Sequence, residues 1–372
     1  MTGLVAMQNG KPGKMNLSSY YNSKKIFVTG HTGFKGSWLT LWLTMLGADV
    51  KGYALEPDQE NSLYNAIDGD ELCNSVIADI RDLEKLKKEI ADHQPDYIFH
   101  LAAQPLVNES YRRPLYTFEV NSQGTAHVLE AIRDLKKTCA AVMITTDKVY
   151  ENREAEYHYK EDDKLGGYDP YSASKACAEI VISSYRNSFF NIGDHAIHKK
   201  SISTARAGNV IGGGDWAKDR IIPDTIRAFK EGKSVVLRNP FSVRPWQHVL
   251  DPVYGYLLLA AKQTDDPEKF SDAFNFGPDK IDNYTVEDIA IKAIEYWGSG
   301  SIAKNENKGE FHEAGLLLLD NTKARTSLKW SPAMNSLEAV KTTIDWYKMV
   351  NTKAGTAKEI TSKQITTYMQ GI

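Results

Sequence analysis

Three glycines at a fixed spacing constrain this chain more than any other feature. A short apolar run, Lys25-Ile-Phe-Val-Thr29, stops at Gly30-His-Thr-Gly33-Phe-Lys-Gly36, and a second apolar run comes next over residues 37–46, closed by Gly47. A strand that leaves through glycines straight into a buried helix is the setting in which backbone can cradle a phosphate. Gly30 allows the tight turn, Gly33 lets the backbone approach a pyrophosphate, and Gly36 lets the helix pack closely on the strand. The helix N-terminus then presents free N–H groups and the positive end of its dipole. The spacing is GxxGxxG rather than GxGxxG, so the loop is one residue longer. The competing reading is a plain strand–helix turn.

Beyond the loop the chain repeats this alternation. Residues 49–55, 75–79, 96–101, 140–146 and 201–205 read as further strands, each short and rich in Val, Ile, Ala or aromatic residues. Between them, residues 82–93 and 171–189 read as helices, and residues 111–137 contain a long helical stretch entered near Pro114. Strands alternating with helices predict an α/β fold, a Rossmann-type doubly wound parallel sheet with helices on both faces. After about residue 206 the alternation gives way to clustered Gly, Trp, Pro and Arg, with helical patterns only near 286–297 and 337–350. We read residues 1–23 as an N-terminal tail, 24–205 as the dinucleotide-binding domain that carries the catalytic residues, and 206–372 as a smaller, mainly substrate-binding C-terminal lobe.

Composition narrows the partners. Lys and Arg number 45 against 48 Asp and Glu, a formal net charge of −3, which argues against a general nucleic-acid binder. Cys73, Cys139 and Cys177 are scattered and form no CxxC pair, so neither a disulfide framework nor a metal site is expected, and a reducing cytoplasm fits. No apolar run approaches the roughly 20 residues that span a membrane, and the N-terminal stretch has no uninterrupted apolar core of a secretory signal.

The cofactor's type is also readable. No Lys or Arg lies between Lys51 and Arg81, whereas Glu56, Asp58 and Glu60 come after the second strand. A 2′-phosphate would meet like charge there, which favours NAD over NADP. Asp79-Ile80, after the third strand, is a candidate flank for the adenine; an ordinary strand-end Asp is the alternative.

Two constellations carry chemistry. Tyr171-Ser-Ala-Ser-Lys175 opens a helix, so phenol and ammonium share one face at i and i+4. A nearby cation favours phenolate and makes Tyr171 a usable general base. Thr145-Thr146-Asp147-Lys148 ends the fifth strand, at the edge where open α/β sheets bind their ligands. A hydroxyl, a carboxyl and an amine together exceed what a hydride transfer needs and suit an acid and a base for a second step. A simple Asp147–Lys148 salt bridge is the competing reading. In the second half, the guanidinium forks of Arg206, Arg220 and Arg244 suit a diphosphate, and Asn209 can donate to a phosphate or sugar oxygen. Trp216, Trp246 and His248 are by default packing residues.

With these motifs in view, the sequence resembles the extended short-chain dehydrogenase/reductase family and, within it, the CDP-glucose 4,6-dehydratases. VTGHTGFKGSW, HLAAQPLV, TTDKVYEN, YSASKA, RAGNVIGGGDW, DRIIPD and RPWQHVLDP carry the resemblance, which spans essentially residues 24–350. TTDKVYEN discriminates most: dehydratases of dTDP-glucose have Asp-Glu in place of Asp147-Lys148, and those of GDP-mannose typically Ser-Glu. The resemblance implies NAD held by Gly30, Thr32, Gly33, Phe34, Lys35, Gly36, Asp79, Ile80, Leu101, Ala102, Ala103, Tyr171 and Lys175. It implies CDP-glucose held by Gln104, Asn121, Arg206, Asn209, Arg220 and Arg244. It further implies catalysis by Thr146, Asp147, Lys148, Tyr171 and Lys175, a homodimer or homotetramer built through the long helices, and a place in deoxysugar and lipopolysaccharide synthesis. Lys148 is read as the C5 base, which requires a neutral amine, or else as a group that only orients the sugar. His31 stands where relatives usually have a small residue. Its ring either crowds the pyrophosphate, points away, or donates to a phosphate. The rival readings are a different nucleotide-sugar dehydratase or 4-epimerase, and a non-catalytic NAD-sensing protein, which would have no need of Tyr171 and Lys175.

Overall fold

The computed structural model describes residues 15–303 and 315–372. Seven strands form one parallel sheet. In chain order they are β1 (Lys25–Thr29), β2 (Asp49–Ala54), β3 (Asn74–Ile77), β4 (Tyr97–His100), β5 (Cys139–Ile144), β6 (Lys200–Ala207) and β7 (Ala273–Phe276). Their spatial order is β7-β6-β5-β4-β1-β2-β3. The order reverses between β1 and β4, which pair through Ile26↔Tyr97 and Thr29↔His100. At that switch the loops leaving the two strands diverge and open a crevice.

Both faces of the sheet are covered, which is why its strands read as near-continuous apolar runs. On one face, Phe27, Ile98, Ala141 and Ile202 pack with Leu86 and Ile90 of α2 (Leu83–His93), Val128 and Ile132 of α3 (Gly124–Asp134) and Ile182 of α4 (Pro170–Ser188). On the other, Val28, Phe99 and Val142 meet Trp38 and Trp42 of α1 (Phe34–Met45) and Tyr256 and Leu257 of α5 (Leu250–Asp265). The same core takes in Ile344 and Trp346 of α6 (Ser336–Asn351) and Ile365 and Tyr368 of α7 (Ala357–Gly371).

Two expectations are corrected. The sheet does not end at residue 205: β7 pairs with β6 from Ala273↔Thr204 to Phe276↔Ala207, and α5 packs beneath it. Four residues are too few to show a strand period, and the run gains its partner only from the sheet edge. The segment 111–137 holds the expected long helical stretch, entered at Pro114 and continuous to Asp134. A separate helix, Val107–Arg112, precedes it, and the stretch runs as Pro114–Phe118, a π-wound turn over Glu119–Gln123 and then α3; Pro114 removes an N–H donor, and Gly124 N–H reaches back to Glu119 O. Of the supposed tail, residues 1–14 lie outside the described residues, but Ser18–Tyr21 is a helical turn on the core. Tyr21 is fully buried and donates to Leu257 O at 2.6 Å.

Candidate active site

The glycine loop is built as its spacing requires. Gly30 has φ +76, and a Cβ there would lie 2.7 Å from Ala102 N. A Cβ on Gly36 would come within 2.0 Å of Gly30 O, so helix α1 can seat only on a glycine. Gly33, the exposed N-cap, has no side-chain cap on the helix N–H groups beyond it. That leaves backbone donors at a positive helix end, a fit for the pyrophosphate of a dinucleotide. Thr32 donates its hydroxyl to Leu55 O at 2.9 Å and ties the loop to the end of β2. Leu101, Ala102 and Ala103 leave β4 on the other side of the crevice, with Ala102 N–H donating to Thr29 Oγ1 at 3.2 Å.

His31 points away from this cradle. Its ring fills the space left by Gly52, where a Cβ would meet it at 2.4 Å, lies edge-on to Tyr64 and pairs its Nε2 with Ser75 Oγ at 2.8 Å. Burial holds its pKa down at about 4. The crowding reading is therefore set aside. At the end of β3, the Asp79 carboxylate binds Arg81, which also pairs with Glu119 at 2.9 Å. The nearest arginine is thus engaged rather than free for a 2′-phosphate. Ile80 is 5% exposed and packs on Gly124. Both side chains are thus engaged within the protein.

The catalytic groups converge at the C-terminal edge of β5. Helix α4 is started by Asp169, whose carboxylate accepts from Ser172 N at 2.9 Å, with Pro170 in the first turn. That fixes Tyr171 and Lys175 over the strand end. Thr145 N–H donates to Ala205 O at 2.9 Å, and the chain then turns through Asp147–Val149. Thr146 donates to Asp147 Oδ1 at 2.8 Å, and Lys148 Nζ lies 3.4 Å from the same oxygen. Asp147 is fully buried, and its Oδ2 has no partner among the described residues. Lys148 Nζ also lies 3.4 Å from Asn209 Oδ1.

Charge tuning departs from the expectation in one respect. Lys175 does not bring the phenol down: its ammonium donates to Ile144 O at 3.2 Å. Burial pushes Tyr171 up to about 12, against the lowering effect of the adjoining Thr146 hydroxyl. Burial also brings Lys175 down to about 8, opposed by Glu179, and Lys35 to about 7, helped by Lys175 and Arg220.

A cavity of about 810 Å³ opens here, lined by Lys35, Asp147, Lys148, Tyr171, Asn209, Arg220 and Arg244. Arg220 pairs with Asp215 at 2.8 Å, and Arg244 Nη1 donates to the Val243 and Gly315 carbonyls. Three expected ligands stand outside it. Arg206 is 4% exposed and clamps Glu179, so it is no phosphate ligand. Gln104 turns its amide to Leu106 O and Thr117, and Asn121 bridges Gln104 N and O to Ser174 Oγ. Both hold backbone rather than substrate. The composition signal that misled here was residue type without burial. The sequence reading missed Asn108, Arg238 and Ser242, which line the cavity. Arg238 carried a signal as one more arginine in the Gly/Trp/Pro-rich half. His248 is fully buried edge-on to Trp38, and Trp246 donates to Tyr284 O at 3.0 Å, so both are packing residues.

A glycine cradle at the sheet's switch point, a Tyr–Lys pair on the helix after β5 and a cavity at the strand ends define a short-chain dehydrogenase/reductase. The family model described as GDP-mannose 4,6 dehydratase matches residues 27–343, and the chain belongs to that family. It is 48% identical to the CDP-glucose 4,6-dehydratase of Salmonella typhimurium over 89% of this chain and 92% of that relative. It is 24% identical to the CDP-paratose 2-epimerase of Salmonella typhi over 87% and 98%. Among solved structures, the dTDP-glucose 4,6-dehydratase of Streptomyces venezuelae, with NAD bound, superposes with TM-score 0.74 at 22% identity over 88% of this chain and 98% of that one. The UDP-glucose 4-epimerase of Thermotoga maritima reaches 0.75 at 21%, over 88% and 99%.

Proposed function

We propose that this protein is a CDP-glucose 4,6-dehydratase using NAD, converting CDP-glucose to CDP-4-keto-6-deoxy-glucose. The observation that carries the reading is the run Thr146-Asp147-Lys148 beside Tyr171 at one cavity, an oxidation base together with an acid and an amine. A 4-epimerase has no use for the second pair. The 48% identity to a CDP-glucose 4,6-dehydratase over most of both chains supports the same substrate.

Tyr171 takes the proton of the sugar 4-hydroxyl, with Thr146 fixing the phenol and Arg220 supplying positive charge. A dinucleotide held at the Gly30–Gly33–Gly36 cradle beside Tyr171 and Lys175 would supply the hydride acceptor for C4 and the hydride donor for C6, with no net change in its redox state. Oxidation at C4 acidifies the C5 proton. Lys148, at the cavity wall, removes it, Asp147 protonates the departing 6-hydroxyl through Oδ2 so that water leaves, and as C6 receives hydride the Lys148 ammonium gives a solvent-exchanged proton back to C5. The cations Arg220 and Arg244 hold the diphosphate. The reading includes a cytoplasmic homo-oligomer, supported by three free cysteines and by exposed Leu115 and Ile180 on the helices that would meet. Incubation with CDP-, dTDP-, UDP- and GDP-sugars plus NAD tests it by mass analysis. CDP-glucose should lose one water, gain solvent deuterium at C5 and leave no net NADH. Stoichiometric NADH during steady turnover overturns it.

A further inference from the structure

Beneath the cavity floor three elements meet on one buried ion pair. Glu179 lies on α4 one turn after Lys175 and is 2% exposed. Arg206, from β6, closes on it with Nε 2.9 Å from Oε1 and Nη2 2.8 Å from Oε2. The pair holds two further residues. Thr145 donates its hydroxyl to Glu179 Oε1 at 2.5 Å. Arg206 Nη1 donates to the Tyr150 hydroxyl at 2.8 Å, and that hydroxyl donates to Asn275 Oδ1 at 2.7 Å. Thr145 and Tyr150 bracket Thr146-Asp147-Lys148-Val149 in the chain. The run bearing the acid and the amine is pinned at both ends to one guanidinium–carboxylate unit.

A buried ion pair is weak evidence for stability, because desolvation of both charges offsets their attraction. What it positions is the better guide to its role. Glu179 also faces Lys175 from one helical turn away. Lys35 from α1 and His100 from β4 also face that ammonium; Glu179 is the carboxylate whose charge favours it. Burial pushes Glu179 up, but Arg206 and Thr145 more than offset this and keep it ionised.

We propose that Glu179, locked by Arg206, is a positioning residue for the water-loss step: it fixes Thr146-Asp147-Lys148 against Tyr171 and sets its carboxylate one helical turn from Lys175. The proposal rests on the dehydratase reading above.

Thr145→Val breaks one tie without leaving a buried charge unpaired. It should lower kcat for water loss by about 10- to 100-fold, as small displacements of catalytic groups do, with KM for CDP-glucose unchanged. In NAD-loaded protein, amide exchange of residues 145–150 should accelerate. Glu179→Gln keeps the shape and removes the charge. The alkaline limb of its kcat profile should move down by about one pH unit, since Lys175 loses its anion. Wild-type kcat and exchange in Thr145→Val overturn the proposal, as does an unmoved alkaline limb in a folded Glu179→Gln. If Glu179→Gln does not fold, Thr145→Val decides alone. If the wild type releases no water from CDP-glucose, the functional reading fails, and the exchange of residues 145–150 still decides the clamp.

Discussion

Asp147 and Asp251 are the same residue in the same state of burial, yet they belong to different parts of the molecule's life. Both are fully buried, and in both Oδ2 has no partner among the described residues. Asp147 Oδ1 is held by Thr146 and faces Lys148, and the residue lines the cavity. Asp251 Oδ1 accepts from Ala333 N at 2.7 Å and from the Tyr368 hydroxyl at 2.8 Å, in the closed core under α6 and α7. Burial pushes Asp251 up to about 7, and the hydrogen bonds only partly oppose it. A buried carboxyl beside an amine and an open cavity can exchange a proton with a ligand, whereas one enclosed by apolar side chains can only tie elements together. Burial alone therefore does not mark a functional acid.

The largest effect should come on the cavity side. Tyr171→Phe removes the base for oxidation, and turnover should fall about 10⁴-fold, with no enzyme-bound NADH in a single turnover. Asp147→Asn keeps the shape but removes the acid. Water loss should slow about 10²–10³-fold while bound NADH builds up, because oxidation survives. If instead Asp147→Asn shows no NADH and Tyr171→Phe does, the two roles are reversed.

On the core side the readout moves from rate to stability. An acid whose folded pKa is raised contributes stability that is present below its unfolded pKa of about 3.9 and is lost as pH rises through the folded value. The stabilising effect of Asp251 should therefore fade between about pH 4 and about 7. Asp251→Asn should flatten that part of the Tm–pH curve and leave turnover unchanged. A fall in kcat with unchanged Tm would erase the contrast with Asp147. His31 offers the opposite sign and a smaller effect. Its folded pKa is depressed to about 4, so its contribution is present above about 6.5 and is lost as pH falls toward 4. His31→Gly should lower Tm at neutral pH by emptying the space beside Gly52, and soften the acid-side decline measured by thermal unfolding.

Much of this was legible in the sequence because it depends on local rules. The alternation of short apolar runs with helical periods predicts the parallel sheet, since strands covered on both faces lose their polar alternation. The glycine loop predicts a cradle, and the spacing of Tyr171 and Lys175 places them on one face of a helix. The catalytic run was readable from its residue types and its position at a strand end. Arg206, Gln104 and Asn121 were misread for a common reason. An arginine or an amide suits a ligand and a buried neighbour equally well, and the sequence does not say which will lie within hydrogen-bonding reach. Glu179 sits at i+4 from Lys175 and was in plain view, but its role appears only when β6 brings Arg206 against it.

The sequence by itself determined the class of fold, the cofactor cradle and the chemistry available at the end of β5, because each rests on periods and spacings between near neighbours in the chain. Tertiary structure alone decided which charges face the cavity and which are closed beneath it. Arg206 and Glu179 stand 27 residues apart in the chain, and Asp251 and Tyr368 stand 117 apart. Such pairs form only when the sheet and its helices have packed. From that packing come the direction in which His31 points, the joining of β7 to the sheet and the pinning of Thr146-Asp147-Lys148 between Thr145 and Tyr150. The physical reason is that desolvation and partnering depend on what surrounds a group in space, and chain neighbours supply only a small part of those surroundings.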